Sequence, residues 1–170
     1  MVLVIMRVVG VGKTTVGILL AEKLGWQFAD ADDFHPPQNV EKIRRGIPLT
    51  DRDRAPWLAA LAQAIEKWHA AGINAVLACS ALKKSYREEL TRGKVVFVYL
   101  KGSYDLILER LRSRHGHFAT ESILKSQLED LEEPENAITV SVDKSPPALV
   151  EEIIDQLKVR GLAYPDAAQP

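Results

Sequence analysis

The sequence predicts an α/β fold, a mostly parallel sheet with helices on both faces. Three observations carry this. Short apolar runs alternate with helical patterns from end to end of the chain. The first run, Val2 to Met6, is apolar throughout, as a strand covered on both faces should be. The residues best suited to chemistry follow directly after the runs, where open parallel sheets bind ligands.

The elements follow in order. After the strand at Val2 to Met6, a helix begins near Lys13, carries Val16, Leu20 and Leu24 on one face, and stops at Gly25. Trp26 to Ala29 reads as a second strand. A loop with Pro36, Pro37, Gly46 and Pro48 follows, with helical turn at Asn39 to Arg45. Pro56 opens a helix over Trp57 to Ala71, ended by Gly72. Ala75 to Cys79 is the third strand, Ala81 to Thr91 a helix, and Val95 to Leu100 the fourth strand. Helices are expected at Tyr104 to Arg114 and Glu121 to Leu131, a fifth strand at Ile138 to Val142, and a last helix at Pro147 to Val159. The tail Ala163 to Pro170 reads as loosely ordered.

At 170 residues the chain suits one domain with a substantial core. A formal net charge of −1 argues against a dedicated nucleic-acid binder. The single cysteine, Cys79, allows no intrachain disulfide and reads as a buried strand residue, not a nucleophile. The apolar start is six residues long before Arg7, too short for a signal peptide or a membrane span, so cytoplasmic location is expected by default.

Gly10, Val11, Gly12, Lys13, Thr14 and Thr15 lie between a strand and a helix, the position of a phosphate-binding loop. Backbone N–H groups there close around phosphate oxygens at the positive end of the helix dipole. Lys13 can bridge the outer phosphates and the Thr14 hydroxyl can ligate Mg²⁺. The full pattern asks for glycine five positions before Gly12, and Arg7 stands there. Arginine strains the loop if φ > 0 is required, swings outward, or adds a charge near the nucleotide. The reading adopted is a loop that still binds phosphate. Just past the second strand, Asp30 and Asp32 offer two carboxylates: one to orient Mg²⁺, the other to accept a hydroxyl proton. An acidic, solvent-facing turn is the plainer alternative.

These motifs belong to a longer series. Asp30 to Pro36 leads to Asn39, Lys42 and Gly46, then to Pro48 to Leu58, Cys79 to Arg87, and Val98 to Gly102. Arg110-Leu111, Arg114 to Phe118, Ser126 to Leu128 and Leu131 to Pro134 complete it. The series closely resembles bacterial-type gluconokinases of the nucleoside-monophosphate-kinase-like, shikimate-kinase-related group, over roughly residues 3 to 155. The resemblance implies a three-layer P-loop kinase fold with a five-stranded parallel sheet and a small helical lid near residues 112–135. It implies transfer of the terminal phosphate of ATP to D-gluconate, giving 6-phospho-D-gluconate and ADP. It also implies Mg²⁺ and commonly a homodimer; no membrane or nucleic-acid partner is expected.

By analogy with related kinases, Asp30 steadies the metal with Thr14, and Asp32 binds the accepting hydroxyl and serves as base. For the substrate carboxylate, Arg54 is the first choice because its planar fork matches a carboxylate, with Lys83 and Arg87 as alternates. His35 can donate to a sugar hydroxyl. Arg110 and Arg114, four apart on one helix, can close over the phosphates and neutralise transition-state charge. His117-Phe118 can hinge or seal the lid, while Trp57 and Trp68 read as core. The chain departs from the family at Arg7, Val9 and Ala31, and in a shortened stretch after Pro134. Two other readings stay open: a kinase for shikimate or another sugar acid, and a non-catalytic ligand-binding relic disabled by Arg7.

Overall fold

The computed structural model describes residues 1–113 and 121–162. The expectations for Arg114, His117-Phe118 and the tail lie outside those residues. Five strands form one sheet: β1 (Val2–Met6), β2 (Gln27–Asp30), β3 (Ala75–Cys79), β4 (Val95–Lys101) and β5 (Ile138–Ser141). Their order is β2-β3-β1-β4-β5 and every pairing is parallel. Val2 aligns with Ala75 on one side and Val95 on the other, and Met6 with Cys79 and Tyr99. The chain steps from β1 outward on one side, returns through β3, and crosses to the other side at β4. That reversal opens a crevice beyond the carboxyl end of the central strand.

The period-two alternation of strand side chains divides the core. Leu3 and Ile5 face the same layer as Val76, Val98 and Ile138. Helix α1 (Lys13–Leu24) covers that layer with Val16, Leu20 and Leu24. Val2, Val4 and Met6 face the other layer with Leu77, Cys79 and Tyr99, under α3 (Asp51–Ala70) through Trp57, Leu58, Leu61 and Ile65. The other helices are α2 (Pro37–Arg44), α4 (Lys84–Leu90), α5 (Tyr104–Ser113), α6 (Glu121–Asp130) and α7 (Pro146–Val159), the last packed in the same layer as α1. Leu20, Leu61 and Ile65 are fully buried, and truncating any one to alanine costs about 2–5 kcal/mol. Among the described residues, no helix is long and apolar enough to cross a membrane.

Two helix starts differ from expectation. Helix α3 begins at Asp51, not after Pro56. Thr50 caps it: its hydroxyl accepts from Asp53 N–H at 3.2 Å, and Asp53 Oδ2 accepts from Thr50 N–H at 2.9 Å. This reciprocal box nucleates the helix ahead of the proline. Pro56 is tolerated inside because it and Arg52, whose carbonyl it leaves without an intrahelical donor, are both exposed. Helix α4 begins at Lys84 and not at Ala81, because Ala81 takes φ 44°, a left-handed turn that ends any helical run through it.

Candidate functional site

The loop from β1 to α1 sits at the centre of the crevice. Val8 and Val11 are buried and pin it to the core. Gly10 (φ 83°) and Gly12 (φ 101°) supply left-handed bends that side-chain-bearing residues resist, and Gly12 is the N-cap of α1. The bends turn the loop back over the helix N-terminus, and Lys13 Nζ donates to the Val8 carbonyl at 3.0 Å.

Arg7 resolves the question its sequence position raised. Its φ of 157° falls at the edge of the positive-φ range that glycine adopts most readily, so the backbone here has the shape the motif's glycine suits and arginine holds it under mild strain. Its side chain leaves the loop. The guanidinium donates to the Tyr99 hydroxyl and, at 2.8 Å, to the Gly102 carbonyl, with its carbon 5.1 Å from the Tyr99 ring centroid. Tyr99 in turn donates to Glu133 at 3.1 Å. Arg7 therefore ties the end of β1 to β4, whose Tyr99 reaches the segment after α6, and it does not line the cavity.

Asp30 ends β2 and faces the loop. Its Oδ2 accepts from the Thr14 hydroxyl at 2.8 Å, and its Oδ1 accepts from the Asp32 N–H at 3.0 Å, capping a short 3-10 turn over Ala31–Phe34. Asp32 stands in the open cleft, yet loss of surrounding water holds its carboxyl above the ordinary value. Lys13 opposes that rise, and Asp30 and Asp33 add to it.

Next along the cavity, His35 stacks on Trp57 with ring centroids 4.7 Å apart and planes 12° apart. Burial, then Arg54, pushes His35 down to about 4, so the imidazole is neutral at physiological pH. The Asn39 side-chain N–H faces His35 Nδ1 at 3.3 Å, which assigns the ring proton to Nε2. Trp57 is core, as expected, but also lines the cavity, and its indole N–H donates to the Ala31 carbonyl at 2.7 Å. Arg54 lines the cavity as well; it donates to Asp130 at 2.6 Å and to the Tyr86 hydroxyl at 3.1 Å.

One cavity of about 300 Å³ joins these parts, at the small end of the range for ligand sites. The phosphate loop and Asp30, Asp32, His35, Trp57 and Arg54 all line it. Three expected cations do not. Arg87 is buried and spends its guanidinium on the Ala81 and Leu82 carbonyls at 3.0 and 2.9 Å, closing the turn before α4. Arg110 donates to the carbonyls of Val142 at 2.6 Å and Val11 at 3.4 Å, so it buttresses the loop from behind. Lys83 pairs with Asp51 at 2.8 Å and Asp130 at 3.5 Å. Cys79 behaves as expected of a buried strand residue: burial pushes its thiol up to about 12.

Three residues given no role by the sequence matter here: Tyr86, Asp130 and Gln127. Tyr86 and Asp130 hold Arg54, and Gln127 reaches the phosphate loop. The available signal was spacing: Ile123, Ser126 and Gln127 all line the cavity from α6, at intervals that share one helix face.

A glycine-bent loop feeding a helix at the centre of a parallel sheet of this order puts the chain among the P-loop kinases of small molecules. Comparison with known proteins narrows the class. Residues 9–158 match the family described as shikimate kinase. The chain is 50% identical to the gluconokinase of Gluconobacter oxydans, over 89% of this chain and 88% of that one. It is 46% identical to a probable gluconokinase of mouse, over 92% and 97% of the two chains. The crystal structure of a gluconokinase from Sinorhizobium meliloti superposes with a TM-score of 0.84 at 40% identity, covering 93% of this chain and 91% of that one. The chain belongs to the gluconokinase family.

Proposed function

We propose that this protein transfers the γ-phosphoryl group of ATP to D-gluconate, forming 6-phospho-D-gluconate and ADP. The observation that carries the reading is the single cavity lined at once by the phosphate loop with its two acids and by His35 and Arg54. The family supplies the substrate class, and the geometry supports a division of labour. Gly10 to Thr15 cradle the phosphates through backbone N–H groups, and Lys13 bridges the outer ones. Asp32 accepts the substrate hydroxyl proton as that oxygen bonds to the γ-phosphorus. The bond to the bridging oxygen breaks, and ADP leaves with its electron pair. A carboxyl raised above its ordinary value is a better base for this task than an ordinary one.

The Thr14 hydroxyl and the Asp30 carboxylate are hard oxygen donors that suit Mg²⁺, which binds through one or two protein oxygens plus phosphates and water. When bound, Mg²⁺ neutralises charge building on the phosphates. Neutral His35 offers an Nε2–H to a sugar hydroxyl. Arg54 meets the substrate carboxylate while tied to Asp130 and Tyr86. Within the lid expected near residues 112–135, α6 lines one side of this cavity, and a cytoplasmic homodimer is the state that the family resemblance carries; sedimentation analysis tests the dimer.

An ADP-release assay with ATP, Mg²⁺ and either D-gluconate or shikimate tests the proposal. A clear preference for gluconate is expected, and a preference for shikimate removes it. Arg7 favours an active enzyme over a non-catalytic relic, because its guanidinium bonds outside the cavity.

A further inference from the structure

Helix α6 turns one face to the cavity. Ile123, Ser126 and Gln127 line it, and Asp130, three residues beyond Gln127, grips Arg54. Gln127 is the member that touches the phosphate loop: its Oε1 accepts from the Val9 backbone N–H at 2.6 Å. The chemistry of this contact orients the amide. A backbone N–H is a donor, so the atom facing it must be the carbonyl oxygen and not the NH₂ group. The two N–H groups on Nε2 therefore point away from Val9, and they have no partner among the described residues. Val9, Gly10 and Gln127 line the same cavity. A donor pair anchored to the phosphate loop and open to the cavity suits an anion beside that loop.

We infer that Gln127 is a phosphate-binding residue of the reaction: anchored through Oε1 on Val9, it donates from Nε2 to an oxygen of the transferring phosphoryl group. This rests on the phosphoryl-transfer reading of the site and extends it to a second wall of the cavity. It gives α6 a chemical part in catalysis.

The test compares Gln127→Glu and Gln127→Leu with the parent chain. Glutamate keeps an acceptor for Val9 N–H but presents an acidic oxygen where Nε2 stood. Leucine removes both contacts at similar size. Binding of ADP and of a non-hydrolysable ATP analogue is measured by titration without gluconate, beside steady-state turnover and thermal unfolding. For Gln127→Glu the expected result is a loss of about tenfold or more in analogue affinity and in kcat/KM for ATP, the scale of one hydrogen bond to a charged group. ADP affinity, gluconate KM and the unfolding midpoint stay within error or about twofold. Gln127→Leu shows the same selectivity for the analogue over ADP. Equal losses for ADP and the analogue, or a fall in unfolding midpoint with both affinities intact, would overturn the assignment and leave Gln127 a brace. A parent chain that binds the analogue but does not phosphorylate gluconate instead fails the substrate reading, because the titrations contain no gluconate.

Discussion

Replacing Arg7 with glycine restores the residue that the phosphate-loop pattern asks for, yet it should weaken this protein. Arg7 is 5% exposed and bonds the Tyr99 hydroxyl and the Gly102 carbonyl while lying against the Tyr99 ring. Two hydrogen bonds from a charged donor contribute about 1.5–3 kcal/mol each, and the cation–π contact about 1–2 kcal/mol. Glycine's extra freedom in the unfolded chain costs about 0.5–1 kcal/mol, which relief of the positive φ at this position offsets. Opposing these is the desolvation of a buried guanidinium whose Nε has no partner among the described residues, a cost of several kcal/mol. The net expectation is a destabilisation of about 2–4 kcal/mol. For a chain of 170 residues, each kcal/mol moves the melting midpoint by about 2–4 °C, so a drop of about 4–16 °C should follow. Thermal unfolding by circular dichroism reads the drop. The ADP-release assay at 25 °C should find turnover within about threefold of the parent, since the side chain bonds outside the cavity. A variant both more stable and much more active than the parent would refute the reasoning and make Arg7 a defect in the loop.

Lys13→Ala should abolish turnover while leaving the fold intact by circular dichroism; normal activity would defeat the phosphate-loop mechanism. Asp32→Asn should lower kcat far more than it raises the gluconate KM, and the reverse pattern assigns Asp32 to binding alone. Because the Asp32 carboxyl is raised when folded, its ionised form opposes folding, fully so above its folded value and not at all below its unfolded value near about 3.9. Asp32→Asn should therefore raise the melting midpoint at pH 7 and do little at pH 3, which scans at the two pH values compare. The acid limb of kcat against pH should also fall above the range of an ordinary carboxylate. His35, lowered to about 4, should show no titration midpoint between pH 5 and 8 by NMR; its contribution is fully present above about 6.5 and is lost as pH falls toward 4.

Much of this was legible in the sequence because local patterns report what local forces decide. The strand at Val2–Met6 is apolar on both faces, and Gly12-Lys13-Thr14 follows it directly, so loop and sheet could be read together. Asp30 and Asp32 line the cavity because a strand end fixes where the next residues go. The charged side chains were harder. Arg87, Arg110 and Lys83 carry the right chemistry for an anion, but each is taken by partners whose proximity only the fold creates. Arg110 meets Val142 and Lys83 meets Asp51, each 32 residues away in sequence. Arg54 reaches Asp130 across 76 residues. The start of α3 was hidden for another reason: Thr50 and Asp53 form a capping box with aspartate where glutamate or glutamine is usual, and Pro56 drew the boundary to itself.

The chain's one thiol offers a stopwatch. Cys79 sits beside Met6 in register, next to the strand that feeds the phosphate loop, with 1% exposure and a proton held up to about 12. Only the thiolate attacks the sulfur of a disulfide reagent and displaces its other half as a thiolate, so labelling must wait until the middle of the sheet comes apart. The labelling rate of the unaltered protein thus counts the openings of its most protected layer. ATP that binds only the closed form should slow that count in proportion to its occupancy, giving nucleotide affinity without any turnover.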